Sequence, residues 1–197
     1  MSNQYFNNNP NLESKPIFFE YYCLRNIIKF KSDNGVFSKN GIDFGTNLLI
    51  KSIKFEDTKT VLDCGCGIGI IGLTVAKINP DIQVDMIDVN KRAISLAKEN
   101  ALLNKTDNVN IFESNVYENV TKEYDMIISN PPIRAGKQVV HTILREGKNH
   151  LVNGGCMYIV IQKKQGAESA LKLLRETYQT VEIITKDKGY YIIKSIK

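Results

Sequence analysis

The sequence predicts an α/β protein built on a doubly wound, largely parallel sheet. From Thr60 onward, short β-branched runs alternate with segments of helical periodicity, which is the pattern of β–α–β units. The last two apolar runs are separated only by residues 186–189, so they form a hairpin and the final strand must run antiparallel. The 197 residues, 43% of them hydrophobic, are enough for one domain with a substantial core.

The residues before this alternation are predicted to form a leader and an extension. Residues 1–16 include five asparagines and few core residues, so we expect a flexible leader. Residues 17–31 mix aromatic residues and isoleucine with polar ones and predict a strand or a hairpin. Asp33-Asn34-Gly35 has the composition of a turn, and residues 46–53 predict a short helix. Residues 17–55 are therefore predicted as a β/α extension, and residues 56–197 as the core of a single domain spanning 17–197.

Local signals place each element of the core. Isoleucine- and valine-rich runs predict strands, apolar residues at helical spacing predict helices, and Asn90 suits an N-cap. The helix beginning at Lys137 is expected to stop at Asn153-Gly154-Gly155, because glycine often ends helices. The predicted strands are 60–64, 83–87, 108–112, 125–129, 156–162, 181–185 and 190–195, and the predicted helices are 69–78, 90–103, 137–151 and 167–178.

A glycine-rich loop follows the first strand of the core. Gly65, Gly67 and Gly69 alternate behind Asp63. Such glycines let the backbone approach a ligand and leave the next helix N-terminus open to it. The dinucleotide fingerprint would need glycine at position 70, which is isoleucine here. Asp88 ends the next strand, 19 residues after Gly69, where a carboxylate can accept from both hydroxyls of a ribose. The loop and the acid together predict a nucleoside site.

A second motif, Asn130-Pro131-Pro132, directly follows the apolar strand 125–129. The two prolines end the strand because neither has an N–H group to donate. The residue before a proline is held extended, so the Asn130 side chain and the Pro131 carbonyl can both face outward as acceptors. Two fixed acceptors suit a substrate that presents an amino group. The turn therefore predicts chemistry at nitrogen.

In this order and spacing, the two motifs resemble those of class I S-adenosylmethionine-dependent methyltransferases. More narrowly, the chain is similar to the methyltransferase small domain group, which includes ribosomal RNA guanine-N2 methyltransferases. Residues 35–38, 43–46, 130–137 and 162–166 carry the narrower likeness. The resemblance covers the chain beyond about residue 17. It implies a Rossmann-like seven-stranded sheet, S-adenosyl-L-methionine as cofactor and ribosomal RNA as partner.

The resemblance also implies roles for individual residues. Many relatives have an acid near position 115 that accepts from the adenine amine, where this chain has the amide Asn115. The implied catalytic residues are Asn130, Pro131 and Pro132. The implied cofactor-binding residues are Asp63, Gly65, Cys66, Gly67, Gly69, Asp88, Val89, Asn115 and Asn130, and the implied substrate-binding residues are Phe37, Ile133, Arg134, Lys137, Lys163 and Lys164.

Several of these residues have a purely structural alternative. Asp63 and Asp88 could cap backbone amides of the loop or of the following helix. Asn130 could be an ordinary turn residue. The combined motifs favour ribose binding for Asp88 and catalysis for Asn130. Phe37 and Phe44 fit either a core position or a lid that stacks on a target base, and the sequence does not separate the two.

Basic residues concentrate toward the end of the chain. The net charge is +5, yet residues 134–197 carry 12 Lys or Arg against 5 Asp or Glu, a net +7, and residues 1–133 carry −2. The excess begins at Arg134, beside the predicted catalytic turn. A lysine-rich solvated surface is one explanation. Next to an amine-accepting site, the phosphates of a nucleic acid are the better one.

The residue after the two prolines bears on the substrate. Relatives that methylate adenine or a release-factor glutamine commonly have an aromatic residue there, whereas this chain has Ile133. Together with the run Arg134 to Lys137, this favours guanine N2 in ribosomal RNA. One alternative is a protein glutamine N5-methyltransferase, although those relatives usually carry a separate helical substrate domain. Another is a cofactor-binding scaffold without catalysis, which would need a broken loop or a missing asparagine.

Composition limits the remaining classes. The 4 cysteines lack the paired spacing of a zinc site, and the 2 histidines suggest neither a triad nor a metal ligand set, so we expect reduced thiols and no metal. We see no apolar run long enough to span a bilayer and no basic-then-apolar leader, so a cytoplasmic protein without a membrane partner is expected. A single copy of the domain leaves open whether it forms a homodimer or binds RNA unaided.

Overall fold

The computed structural model describes residues 13–197, which form nine strands and five α-helices. The predicted leader falls mostly on residues 1–12, outside the described residues. The strands are β1 (Ile17–Cys23), β2 (Asn26–Ser32), β3 (Thr60–Cys64), β4 (Gln83–Asp88), β5 (Val109–Glu113), β6 (Tyr124–Ser129), β7 (Leu151–Gln162), β8 (Thr180–Asp187) and β9 (Tyr190–Ile196). The helices are α1 (Phe44–Ser52), α2 (Ile70–Ile78), α3 (Lys91–Asn104), α4 (Lys137–Glu146) and α5 (Ala167–Thr177).

Seven strands form one sheet in the order β5-β4-β3-β6-β7-β9-β8, and β1 and β2 form a separate hairpin. Strands β3 to β7 pair in parallel, whereas β9 is antiparallel to both β7 and β8. The predicted α/β class, the doubly wound order and the antiparallel last strand are confirmed. The chain progresses from β3 to β5 and then returns to the other side of β3 as β6. Sheets of this kind bind ligands at that switch point, beyond the carboxyl ends of the strands.

Alternating side chains give the sheet an apolar layer on each face. On β6, Met126 and Ile128 belong to one core layer and Ile127 to the other, and all three are buried. Residues of α1, α2 and α3 pack in the first layer, and residues of α4 and α5 pack in the second. Because both faces are covered, the strands can be apolar almost throughout.

The hairpin is joined to the core through two asparagines of α3. Asn100 and Asn104, one helical turn apart, accept from the backbone N–H groups of Lys31 and Lys29 at 2.7 and 2.8 Å. Their Nδ2 atoms donate to the carbonyls of the same two residues at 3.0 and 2.7 Å. Each side-chain amide thus makes the two hydrogen bonds, one accepted and one donated, that the backbone of a neighbouring strand would make with β2. The division into an extension, residues 17–55, and a core, residues 56–197, stays a prediction.

The end of the predicted leader contacts this extension. Ser14 Oγ and the Lys15 N–H donate to the two carboxylate oxygens of Asp33 at 2.7 and 2.6 Å, and Asn34 Nδ2 donates to the Glu13 carbonyl at 2.9 Å. Burial opposes ionisation of Asp33, but these hydrogen bonds and the nearby Arg92 guanidinium outweigh it and lower its pKa. The turn predicted at residues 33–35 is therefore an anchor for residues 13–15.

The predicted helix over residues 137–151 was wrong at its end. Helix α4 stops at Glu146, a single 3-10 turn follows, and β7 already begins at Leu151. At Gly147 a Cβ would overlap Met157 Cε, so the chain lies too close to β7 to continue as a side-chain-bearing helix. The run Asn153-Gly154-Gly155 is a bulge inside β7, where a Cβ on Gly155 would lie 2.9 Å from the Val152 carbonyl oxygen.

Within residues 13–197, no helix has the length and apolar character needed to cross a membrane.

Candidate active site

A cavity of about 700 Å³ opens at the switch point of the sheet. It is lined by the residues that end or directly follow β3, β4, β5 and β6, including Cys64, Asp88, Ser114 and Asn130. The glycine loop and the Asn-Pro-Pro turn, which are about sixty residues apart in the sequence, therefore border one space. Parallel strands place their carboxyl ends at the same edge, and this is why the two motifs meet.

Backbone hydrogen bonds hold the glycine loop against β4. The N–H groups of Gly65 and Cys66 both donate to the Ile87 carbonyl at 2.9 Å. Gly67 has φ +57° and Gly69 has φ +93°, conformations that favour glycine. A Cβ at Gly67 would meet no heavy atom within 4 Å, whereas one at Gly69 would lie 2.8 Å from Met86 Cε. Gly67 thus faces open space in the cavity and Gly69 faces the core.

Asp88 holds the loop and also borders the cavity. Its Oδ2 accepts from the Gly67 N–H and its Oδ1 from the Asn90 N–H, both at 2.8 Å. Burial raises the pKa of Asp88, although these amides and that of Val89 oppose the shift. The structural alternative for Asp88 is therefore realised. Asp88 also lines the cavity, and each carboxylate oxygen can accept more than one hydrogen bond. The helix cap itself is Asn90, which accepts from the Arg92 and Ala93 N–H groups.

Asp63 lies behind the loop, outside the residues that line the cavity. It is fully buried on β3 and accepts from the Gly72 N–H, in the first turn of α2, at 2.8 Å. Within the described residues its Oδ1 has no hydrogen-bond partner. Burial raises the pKa of Asp63 to about 7, and the neighbouring Asp88 charge adds to the shift while the Gly72 amide opposes it. Asp63 thus joins β3 to the first turn of α2 behind the loop.

Val89 and Asn115 complete the side of the cavity next to β4 and β5. Val89 is 37% exposed, as an apolar wall of an open site would be. Asn115 is exposed, and its Nδ2 donates to Glu118 Oε1 at 2.8 Å. That bond leaves Asn115 Oδ1 as the acceptor that an adenine amine would require.

The Asn-Pro-Pro turn is fixed from both sides. Ser129 Oγ donates to the Cys64 carbonyl at 2.7 Å, which ties the end of β6 to the end of β3. Asn130 Nδ2 donates to Thr46 Oγ1 in α1 at 2.8 Å. The Pro132 carbonyl accepts from the Ala135 N–H at 2.9 Å and starts a 3-10 turn. Asn130, Pro131 and Pro132 all line the cavity.

Sequence reasoning did not select several residues that the structure brings to this turn. Thr46 bonds Asn130, and Asp43, the N-cap of α1, accepts from the Thr46 hydroxyl at 2.5 Å. Tyr190 lines the cavity, and its ring covers Gly45 so closely that a Cβ there would lie 2.8 Å from Tyr190 Cε1. Thr46 and Gly45 fall in the run 43–46 that carried the family resemblance. No local sequence pattern indicated that Tyr190 would belong to the site.

The residues predicted to bind substrate divide into two groups. Phe37, Ile133 and Arg134 line the cavity, and Phe37 is 53% exposed at its rim. Lys137, Lys163 and Lys164 are exposed and lie outside the cavity lining. Phe44, the other aromatic left undecided, packs on the Tyr190 ring with centroids 5.6 Å apart.

The cysteines beside the cavity are not set up as nucleophiles. Burial raises the pKa of Cys64 to about 12 and that of Cys66 well above its ordinary value, so both thiols stay protonated at neutral pH. All four cysteines are free. Across the described part of the chain, no group of three or more His, Cys, Asp or Glu side chains is arranged to hold a metal ion.

A doubly wound sheet with an antiparallel last strand, and a cavity between a glycine loop and an Asn-Pro-Pro turn, is the architecture of class I S-adenosylmethionine-dependent methyltransferases. A family model described as "Methyltransferase small domain" matches residues 27–194. The chain belongs to this family, whose members use S-adenosyl-L-methionine as cofactor.

Curated relatives agree with this assignment. The chain is 44% identical over 200 residues to "Uncharacterized protein YbxB" of Bacillus subtilis, with both chains covered completely. It is 32% identical over 198 residues to "Ribosomal RNA small subunit methyltransferase C" of Erwinia tasmaniensis. That match covers 94% of this chain and 56% of the relative, so the chain spans about half the length of that enzyme.

Solved structures share the fold. The T. thermophilus 16S rRNA N2 G1207 methyltransferase (RsmC), solved in complex with AdoMet and guanosine, aligns with a TM-score of 0.84 at 22% identity, over 95% of this chain and 52% of that one. A methyltransferase from Pyrococcus furiosus aligns with a TM-score of 0.67 at 20% identity, over 77% of this chain and 80% of that one.

Proposed function

We propose that this protein transfers a methyl group from S-adenosyl-L-methionine to an exocyclic amino group, and that the acceptor is guanine N2 in ribosomal RNA. The orientation of the Asn130 amide carries the proposal. Its Nδ2 is committed to Thr46 Oγ1 at 2.8 Å, so its Oδ1 remains as an acceptor in a residue that lines the cavity. An acceptor held there suits an amine, which presents two N–H donors.

The residues around the cavity fit S-adenosyl-L-methionine. The Asp88 carboxylate borders the cavity where it can accept from ribose hydroxyls, and the open space beside Gly67 admits a ligand against the backbone. In the part of the chain that the structure describes, the buried Asp63 Oδ1 behind the loop has no hydrogen-bond partner, and a cationic ligand in the cavity would favour ionisation of this carboxyl. When bound, this cofactor supplies a methyl group on a positively charged sulfur. The other proposed contacts that line the cavity are Gly65, Cys66, Val89, Asn115 and Asn130. Gly69, the remaining residue predicted to bind the cofactor, faces the core.

The contribution of the protein to the chemistry is alignment and charge stabilisation. An exocyclic amine is a poor nucleophile because its lone pair is delocalised into the ring. Asn130 Oδ1 and the Pro131 carbonyl would accept its two N–H bonds and draw the nitrogen toward tetrahedral geometry. Those bonds strengthen as positive charge develops on nitrogen, so they stabilise the transition state more than the ground state. Pro131 and Pro132 keep the acceptors fixed, and the proton leaves to water afterwards.

Charge supports RNA as the substrate. The Lys163 N–H donates to the Gly189 carbonyl at 2.7 Å, so Lys163 and Lys164 lie beside the β8–β9 turn. Lys188 is in that turn and Lys186 is in β8 just before it, and all four lysines are exposed. Gln165 and Tyr190, the neighbours of these lysines in the chain, line the cavity. A cationic surface next to the cavity suits the phosphates that flank a target base.

One observation favours guanine N2 and a second favours ribosomal RNA. Ile133 lines the cavity in place of the aromatic residue common in adenine- and glutamine-modifying relatives. The named Erwinia tasmaniensis relative is a ribosomal RNA methyltransferase. Phe37 and Tyr190 both line the cavity and are available to stack on an extruded base. A protein glutamine N5-methyltransferase and a non-catalytic scaffold remain the competing functions.

One experiment separates these functions. The purified protein is incubated with S-adenosylmethionine labelled on the methyl group and either ribosomal RNA or total protein, and the RNA is digested to nucleosides. Labelled guanosine methylated at N2 supports the proposal. Labelled N6-methyladenosine would change the acceptor and keep the class of reaction. Label found only on protein would favour the glutamine alternative, and no transfer to either pool would favour the scaffold.

Three further predictions concern the cellular location, the oligomeric state and the boundary at residue 55. A cytoplasmic location is testable by fractionation, and a homodimer by light scattering of the purified chain. The division at residue 55 is testable by limited proteolysis, which should cut first near residues 53–60 if the extension is a separate unit.

A further inference from the structure

The N-terminus of α1 carries more hydrogen bonds than a helix cap needs. Asp43 caps the helix in the ordinary way, with Oδ1 accepting from the Thr46 N–H at 3.1 Å. Its second oxygen, Oδ2, accepts from the Thr46 hydroxyl at 2.5 Å and from Ser38 Oγ at 3.5 Å. Thr46 is 3% exposed, and its Oγ1 is also the acceptor for Asn130 Nδ2 at 2.8 Å. The capping bond uses the backbone N–H of Thr46, so capping by itself does not require the Thr46 hydroxyl.

The directions of these bonds are fixed by chemistry. An ionised carboxylate only accepts, so the single Thr46 hydroxyl proton must point to Asp43. The lone pairs of Thr46 Oγ1 can then only accept, and the group that meets them must be the NH₂ end of the Asn130 amide. The amide oxygen is thereby turned to the opposite side. With the amide reversed, two oxygens would face each other at Thr46 with no proton between them.

We propose that Thr46 and Asp43 are positioning residues that hold the Asn130 amide with its oxygen toward the target amine. This inference deepens the proposed function and depends on it. Without the hydroxyl, the amide can rotate and present its NH₂ group to the amine, and two donors cannot bond each other. Turnover then falls because the reacting nitrogen is misaligned. A displacement of about 1 Å from the productive geometry can lower the rate by about 100-fold.

The test uses Thr46→Val, which keeps the shape of the side chain and removes the hydroxyl, with Thr46→Ser as the matched control. We expect Thr46→Val to lower kcat on RNA by about 10- to 100-fold. S-adenosylhomocysteine affinity should change less than about 2-fold, since most of the proposed cofactor contacts lie on the glycine loop and at the ends of β4 and β5. Thr46→Ser should retain activity near that of the unmodified protein. In an Asn130→Ala background, Thr46→Val should cause no further loss, because its effect acts through Asn130.

A second readout does not depend on turnover. The side-chain NH₂ of Asn130 should show slow hydrogen exchange by NMR, should lose that protection in Thr46→Val and should keep it in Thr46→Ser. Equal kcat values for the unmodified protein and Thr46→Val, or an amide whose protection ignores the hydroxyl, would overturn the positioning role. A wild-type protein that binds S-adenosylhomocysteine but methylates no RNA would instead count against the proposed function.

Discussion

Ser129 Oγ donates to the Cys64 carbonyl at 2.7 Å and so joins the last residues of β6 and β3. The two strands pair in parallel, with Asp63 opposite Ile128, and the hydrogen bond continues that pairing one residue further. The glycine loop therefore leaves β3 at the level where the Asn-Pro-Pro turn leaves β6. This arrangement gives the proposed cofactor site and the proposed acceptor site a fixed separation, which an in-line transfer requires.

The cofactor proposal predicts a selective thermal shift. S-adenosylhomocysteine should raise the melting temperature, because a ligand that binds only the folded state stabilises it, and NAD should not. Asp88→Ala should weaken S-adenosylhomocysteine binding by about 1–3 kcal/mol, measured by calorimetry below the melting temperature. Asp81→Ala, which alters an exposed acid before β4, is the control and should leave the affinity unchanged. Stabilisation by NAD alone would overturn the cofactor proposal.

Asn130 should act on the acceptor and hardly at all on the donor. Asn130→Ala is expected to remove most turnover while S-adenosylhomocysteine affinity stays near that of the unmodified protein. The control is Asn119→Ala, since Asn119 is exposed and its Nδ2 donates only locally, to the Glu113 carbonyl at 3.0 Å. Single-turnover kinetics and calorimetry measure the two quantities separately. Full activity of Asn130→Ala would contradict the catalytic role.

Two glycines of the loop should respond differently to the same substitution. Gly67→Ala places its methyl group in open space, so only the left-handed backbone opposes it, at about 1–2 kcal/mol. Gly69→Ala adds a clash with Met86 and Leu73, and we expect a total cost of about 2–5 kcal/mol. Gly67→Ala should still weaken S-adenosylhomocysteine binding, because Gly67 lines the cavity. Urea unfolding measures the stabilities, and equal losses would contradict the structure of the loop.

Asp63 should make the stability of the ligand-free protein depend on pH. Burial raises its pKa from 3.8 to about 7, so between these values the folded state holds a proton that the unfolded chain releases. The free energy of unfolding should therefore fall as the pH rises from about 4 to about 7, and the Asp63 contribution should be constant above that. Relative to Asp63→Asn, the unmodified protein should lose up to about 4 kcal/mol across this window. A difference between the two proteins that is constant from pH 4.5 to 7.5 would contradict the raised pKa.

Neutralising the lysines beside the cavity should weaken RNA binding without changing the chemistry. Lys163→Gln with Lys164→Gln should lower the affinity for RNA and reduce the slope of log affinity against log salt by up to about 2. The matched control is Lys98→Gln with Lys105→Gln, which removes two exposed charges from α3 and its C-terminal end. The kcat at saturating RNA should stay the same in both double variants. Identical salt slopes for the two would mean that the basic tract does not contact phosphate.

Much of the fold follows from local sequence. The alternation of strands and helices, the hairpin at 186–189 and the helix cap at Asn90 depend on residues close together in the chain, and the structure has all three. The end of α4 does not follow from local sequence. The helix ends before Gly147 because Met157 of β7 and Tyr117, which follows β5, occupy the space where a Cβ of residue 147 would lie. The same holds for Gly155, whose role as a bulge depends on the carbonyls of β6.

The sequence by itself determined the family, the switch-point location of the cavity and the two motifs that border it, because each motif is a short run whose backbone chemistry is set by its own glycines or prolines. Only the tertiary structure decided which way the Asn130 amide points, since that depends on a hydroxyl 84 positions away in Thr46. It also decided that Tyr190 shares the cavity and that Asp63 lies behind it. A local pattern fixes dihedral angles and periodicity, whereas a side-chain contact between distant segments exists only once the sheet has brought them together.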